Sequence, residues 1–166
     1  MAKSHPRMAA IGDVDEANGA IGLAILHLPA ETHRAMLRRI QNEMFDLGAD
    51  LATPGEDFTP SEMTLRITTE QVARLEREID EMNQKLEPLR SFVLPVGGGG
   101  AAYLHLARSI VRRAERSAVA ATAEARFNPQ ALAYINRLSD HLFVLARLVA
   151  KGEDGDILWQ PGATRT

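Results

Sequence analysis

The chain has no cysteine among its 166 residues, which excludes disulfides and thiolate-held metals alike. A reducing cytoplasm suits that absence, and the expected location is cytoplasmic. No apolar run approaches the roughly 18 residues that would span a bilayer. The opening Met1-Ala2-Lys3-Ser4-His5-Pro6-Arg7 lacks the apolar stretch of a secretory signal. The five histidines are scattered and no Glu-x-x-His occurs, so a ferritin-like di-iron cage has no ligands. A Gly-x-x-x-x-Gly-Lys-Ser/Thr phosphate loop is also missing, because no lysine follows the glycine run. No Ser/His/Asp arrangement can be assigned from spacing. The net charge of −3 supplies no global pull toward nucleic acid or membrane.

What is present is helical periodicity nearly throughout, with 45% hydrophobic residues and a length that suits one domain over 1–166. A first helix is expected over about 8–27, with Ile11, Val14, Ile21 and Ile25 near helical spacing. It carries the polar residues Asp13, Asp15, Glu16 and Asn18. After Pro29 a second helix runs over about 31–51 on an apolar stripe of Leu37, Ile40, Met44, Leu47 and Leu51. Arg34, Arg38, Arg39 and Glu43 fall on its outer side. Residues 52–67 have turn chemistry and no period. Thr68 then caps a third helix, with Gln71 completing a capping box and Ile67 and Val72 a hydrophobic staple. Pro88 is expected to end it.

The apolar link Phe92-Val93-Leu94-Pro95 leads into four glycines, Gly97 to Gly100. They allow a close backbone approach or a swinging hinge. A fourth helix is expected over about 101–126. Asn128-Pro129 restarts the chain, cap followed by first helical residue, for a fifth helix over about 129–151. Gly152 suits the position past its end, and the tail over 152–166 has Trp159 as its anchor. Five helices and no convincing strand make an all-α five-helix bundle.

The fourth helix carries Arg108-Ser109-Ile110-Val111-Arg112-Arg113-Ala114-Glu115-Arg116. Arg108, Arg112, Glu115 and Arg116 share a helical face. A row of guanidinium groups is costly in a dry core and well suited to a polyphosphate, whose oxygens it meets two at a time. A solvated basic stripe is the competing reading. Asn136, Arg137, Ser139 and Asp140 interrupt the fifth helix between Ile135 and Leu142. Together with Asp15, Glu16 and Asn18 of the first helix and the arginines and Glu115 of the fourth, they are candidates to line one polar pocket.

Several stretches resemble the PduO-type ATP:cob(I)alamin adenosyltransferases. They are Lys3 to Arg7, Gly12 to Asn18, Ile40 to Ala52, Phe92 to Pro95, His105 to Arg116 and Tyr134 to Asp140, in the family's order. The resemblance implies a homotrimeric five-helix bundle with active sites between subunits. It implies transfer of the 5′-deoxyadenosyl group of ATP to reduced cobalamin, with release of triphosphate and with Mg²⁺ on the phosphates. It places Lys3, Arg112, Arg113, Glu115, Arg116 and Asn136 on ATP, and Phe92 against the corrinoid. Arg108, Arg112 and Asp15 become the catalytic set, with Asp15 pairing with Arg108 across the subunit boundary. A flavoprotein reductase and an adenosylcobalamin-dependent mutase are the partners it suggests.

The resemblance departs in two places. The family's Thr-Gly-Asp-x-Gly-x-Thr type segment has no counterpart ahead of Lys3, so an in-frame upstream extension is one expectation. A non-catalytic corrinoid-binding or delivery protein that lacks the ATP loop is the other. The four glycines stand where the family more often has Gly-Gly-Ser.

Overall fold

His5 opens the first helix, α1, Pro6–His27, two residues earlier than apolar spacing predicts. Its ring accepts the Arg7 amide, and Pro6 takes the first helical position, where an absent N–H is harmless. The computed structural model describes residues 1–165; Thr166, the last residue of the expected tail, lies outside them. Four more helices follow: α2 Glu31–Leu51, α3 Thr69–Asn83, α4 Ala101–Ala121 and α5 Pro129–Lys151. The capping box is formed: Gln71 N donates to Thr68 Oγ1, and Thr68 N donates to Gln71 Oε1. Asn128 caps α5 by accepting the Gln130 amide.

Two helix ends differ from expectation. α3 gives way at Gln84, and the Lys85 and Leu86 amides turn back onto Met82 and Asn83 before Pro88 is reached. α4 stops at Ala121, not Arg126. The amides of Thr122, Ala123 and Glu124 each reach back three residues, which tightens the chain out of α geometry. Beyond the turn the Arg126 carbonyl is taken by the Gly55 amide.

α1 packs along α4 and α2, α4 along α5, and α5 along α3, with a lighter touch between α2 and α5. Val14, Met44, Leu47, Val111, Ile135 and Leu138 meet at the centre. Each such side chain contributes about 1.5–3 kcal/mol on burial. Gly100 holds a left-handed φ of +94° at the start of α4, where a Cβ would stand 3.0 Å from the Ala24 carbonyl oxygen. That close approach of α1 and α4 is why glycine is needed there.

Arg39 and Glu43 were expected on the outer side of α2, but the structure turns them inward. α3 and α5 close over this flank, and Glu43 is buried. Arg39 makes a two-pronged pair with Glu78 at 2.7 and 2.6 Å and a third bond to Glu43. Tyr134 donates to Glu43, and His141, fully buried, sits 3.1 Å from Glu78. Burial raises the Tyr134 phenol well above its usual range, and the Glu43 carboxylate adds to this. Burial also pushes the Glu78 carboxyl up, but the bonds from His141 and Arg39 outweigh it and hold the group down at about 2.

A second buried cluster ties down the long loop. Asp50 accepts from Arg66 at 2.8 Å, from the Ile67 amide at 2.8 Å and from Asn128 at 2.7 Å. Arg66 also reaches the Thr53 and Asp57 carbonyls and lies over the Phe58 ring. Turn composition without period therefore produces an ordered loop.

Among the described residues no helix is long and apolar enough to cross a membrane.

Candidate functional site

The arginine row divides by one helical position. Arg113 points at α1 and is held there by Asp13 at 3.1 Å and by Glu16. Ser117, a turn further on, donates to the same Asp13. Arg112 and Arg116 point the other way, into a groove of about 410 Å³ lined with Glu115, Val119 and Asn136. The Asn136 amide donates to Glu115 at 3.0 Å, and its oxygen accepts from Arg137. That fixes the Asn136 side chain with its outer edge toward the groove. Arg137 is held in turn by Glu76 of α3.

Arg108 is half-buried and stands over the Phe143 ring, 5.0 Å from its centroid. Burial and the neighbouring Arg112 make its charge less comfortable, and Asp140 relieves it in part. The guanidinium keeps its proton at any working pH. Arg108 and Phe143 share a hollow of about 530 Å³ with Leu89, Ser91, Phe92 and Val93. Sequence reasoning missed Phe143; its helical offset from Asp140 was the available signal.

Phe92 is 76% exposed, yet its backbone is held. Leu94 N donates to the Ile157 carbonyl at 2.7 Å, and Trp159 N donates to the Phe92 carbonyl at 2.8 Å. Ser91 adds a bond to the Trp159 carbonyl. The segment and the tail thus form one short antiparallel bridge. Arg147 anchors its far side through Asp156 at 2.9 Å and the Glu87 carbonyl. Trp159 is therefore one of two anchors, and Asp156 was not foreseen.

Asp15 lies elsewhere. It is exposed on the α1–α2 side, in a groove of about 560 Å³ with Asn18, Gly19, Arg38, Gln41, Asn42 and Phe45. Glu16 is spent on Arg113. The expected single polar pocket is thus two grooves within one chain. Lys3 stands exposed in the turn before α1 and lines neither. Among the described residues, no carboxylate lies within ion-pair distance of Arg108, Arg112 or Arg116, whereas Arg113 and Arg137 both have partners. Nor do three His, Asp or Glu side chains gather anywhere among them to hold a metal.

An all-helical bundle that leaves a guanidinium row without carboxylate partners, beside an aromatic hollow, has the chemistry to receive an anionic ligand. Residues 1–149 match the family described as cobalamin adenosyltransferase, and the chain belongs to that family. It is 46% identical to a corrinoid adenosyltransferase of Mycobacterium tuberculosis (strain ATCC 25618 / H37Rv), over all of this chain and 86% of that one. It is 40% identical to the corrinoid adenosyltransferase PduO of Salmonella typhimurium, over 94% of this chain and 45% of that longer protein. A single-residue variant of the PduO-type ATP:corrinoid adenosyltransferase of Lactobacillus reuteri, solved with cobalamin and ATP, superposes with a TM-score of 0.87. That pair is 37% identical over 97% of this chain and 87% of the other.

Proposed function

We propose that this chain transfers the 5′-deoxyadenosyl group of ATP to the reduced cobalt of a corrinoid. The observation that carries the reading is the row of Arg108, Arg112 and Arg116, left without carboxylate partners among the described residues, whereas Arg34, Arg38, Arg39, Arg113, Arg137 and Arg147 on the helices all have them. Such a row is completed by a ligand that brings its own negative charge.

The substrate cobalt(I) supplies the electron pair that forms the bond to C5′. The C5′–oxygen bond breaks, and triphosphate departs with the electron pair of that broken bond, while cobalt's pair stays in the new cobalt–carbon bond. No general base is required. The protein has to hold C5′ in line and meet the charge that grows on the leaving oxygen. Arg112 and Arg116 meet that charge, with Lys3 joining from the preceding turn. Asn136, locked by Glu115 and Arg137, offers a fixed edge to the nucleotide. Arg113 is committed to Asp13 and Glu16, so its part in ATP binding is to brace α1 against α4. Mg²⁺ would ride on the phosphates.

Phe92, Phe143, Leu89 and Val93 supply an apolar wall for the corrin ring. Phe92 keeps the lower axial ligand from cobalt, which eases its reduction. Among the described residues neither Asp15 nor Arg108 has an ion-pair partner, and no hydrogen bond or ion pair joins the two within one chain. A second copy brings them together, as in a homotrimer with sites between subunits. The electrons come from a separate reductase, and an adenosylcobalamin-dependent enzyme receives the product. The setting is cytoplasmic.

The test is anaerobic incubation of the purified protein with ATP, Mg²⁺ and chemically reduced cobalamin. The expected result is the adenosylcobalamin spectrum with triphosphate released in equal amount. Reduced cobalamin persisting unchanged would overturn the reading.

A further inference from the structure

His5 does more than begin a helix. Its Nδ1 accepts the Arg7 amide at 3.1 Å, so that nitrogen carries no proton and the ring's N–H is on Nε2. Nε2 lies 2.5 Å from the Glu124 carboxylate. The capping contact takes up only Nδ1. Imidazole has a second nitrogen on the opposite edge of its ring, and here that nitrogen reaches the far end of another helix. Glu124 sits in the turn that closes α4. It follows Arg108, Arg112, Arg116 and Ala120 at a constant step of four residues. His5 is also tied along the backbone. Its own amide donates to the Ala2 carbonyl at 3.0 Å, which closes the turn that carries Lys3, and its carbonyl accepts the Ala9 amide.

We propose that His5 is a positioning residue for ATP, clipping the Lys3 turn to the end of the arginine helix through Glu124. The proposal rests on the reading that Lys3 and the arginine row bind ATP. His5 itself touches no substrate. Without the clip, the turn is held by one backbone bond and by the exposed contact of the Arg7 guanidinium with the Met1 sulfur, and it samples other positions. The apparent affinity for ATP falls by the fraction of molecules in which Lys3 is in place. Corrinoid binding, at the Phe92 hollow, does not depend on this turn.

Four single variants of the full chain and one double variant test the clip. His5→Ala and Glu124→Ala are expected to raise KM for ATP about tenfold, with kcat and the corrinoid KM within about twofold of the parent. The double variant His5→Ala/Glu124→Ala is expected to be no worse than His5→Ala alone, because Glu124→Ala removes a link that His5→Ala has already removed. Glu124→Gln retains an oxygen that accepts from Nε2–H and is expected to recover most of the affinity. His5→Asn preserves the cap but is too short to reach Glu124. It is expected to keep the parent's stability yet show the raised KM for ATP. A parent-like KM in His5→Asn, independent addition in the double variant, or equal losses in kcat and corrinoid KM would each overturn the proposal.

Hydrogen exchange in the ATP-free protein separates this outcome from failure of the enzymatic reading. The amide of residue 5, which closes the Lys3 turn, is expected to exchange faster in His5→Asn and in Glu124→Ala. Unchanged exchange overturns the clip whether or not the protein turns over.

Discussion

The Trp159 amide donates to the Phe92 carbonyl at 2.8 Å, and the two rings stand 5.8 Å apart at a tilt of 50°. Phe92, proposed above to face the corrin, is thus held by the tail of the chain. An aromatic pair of this geometry contributes about 0.5–1.5 kcal/mol beyond its area. Trp159→Ala is therefore expected to raise the corrinoid KM several-fold, by about two to tenfold, and to leave the ATP KM alone. Steady-state assays with each substrate varied in turn decide it; a shift in both constants would point to general loosening.

Arg112 and Arg113 are neighbours with opposite surroundings. Arg112→Ala removes an unpaired charge from the groove, and kcat/KM is expected to fall by about 10²–10³. Its melting temperature should hardly move, because the side chain is exposed and makes no ion pair. Arg113→Ala breaks the links to Asp13 and Glu16 on a half-exposed surface, worth about 0–1 kcal/mol. Its loss of kcat/KM should be far smaller than that of Arg112→Ala. Equal losses would place both arginines on the phosphates.

Arg66 and Asp50 test the ordered loop. Arg66→Ala leaves the Asp50 carboxylate, only 1% exposed, without its countercharge. The expected cost is about 3–5 kcal/mol, read from urea denaturation. A cost below about 1 kcal/mol would mean that the Ile67 amide and Asn128 suffice to hold the carboxylate.

Glu78 makes stability depend on pH at the acid end. Its carboxyl is held at about 2 in the folded protein against an ordinary 4.5. A depressed carboxyl contributes fully above the unfolded value and loses its contribution as pH falls from about 4.5 toward 2. Glu78→Gln removes this dependence. At neutral pH the variant is expected to be less stable by about 1.5–3 kcal/mol, since charged hydrogen bonds to Arg39 and His141 are lost. That gap should narrow as the pH drops through this window. A gap constant from pH 7 to pH 3 would show that Glu78 is not the titrating group.

Local chemistry alone determined the helix count, the caps at Thr68 and Asn128, and the shared face of Arg108, Arg112 and Arg116. Each depends on residues within a turn or two of one another, where 3.6-residue periodicity and capping geometry act. The same periodicity placed Arg39 and Glu43 on an outer face, because it orders side chains around one helix and says nothing about which helix covers them. α3 and α5 do so here, and the charges become a buried network. Arg113 was grouped with the ATP residues; its partners Asp13 and Glu16 lie on another helix, and only the packing of α1 on α4 brings them within reach. The pairing of the tail with Phe92 was equally out of view, since a single β-bridge between distant segments has no periodic signature. Sequence thus determined what each helix offers. Tertiary structure decided which charges are spent inside the fold and which remain for a ligand, because that depends on contacts between residues far apart in the chain.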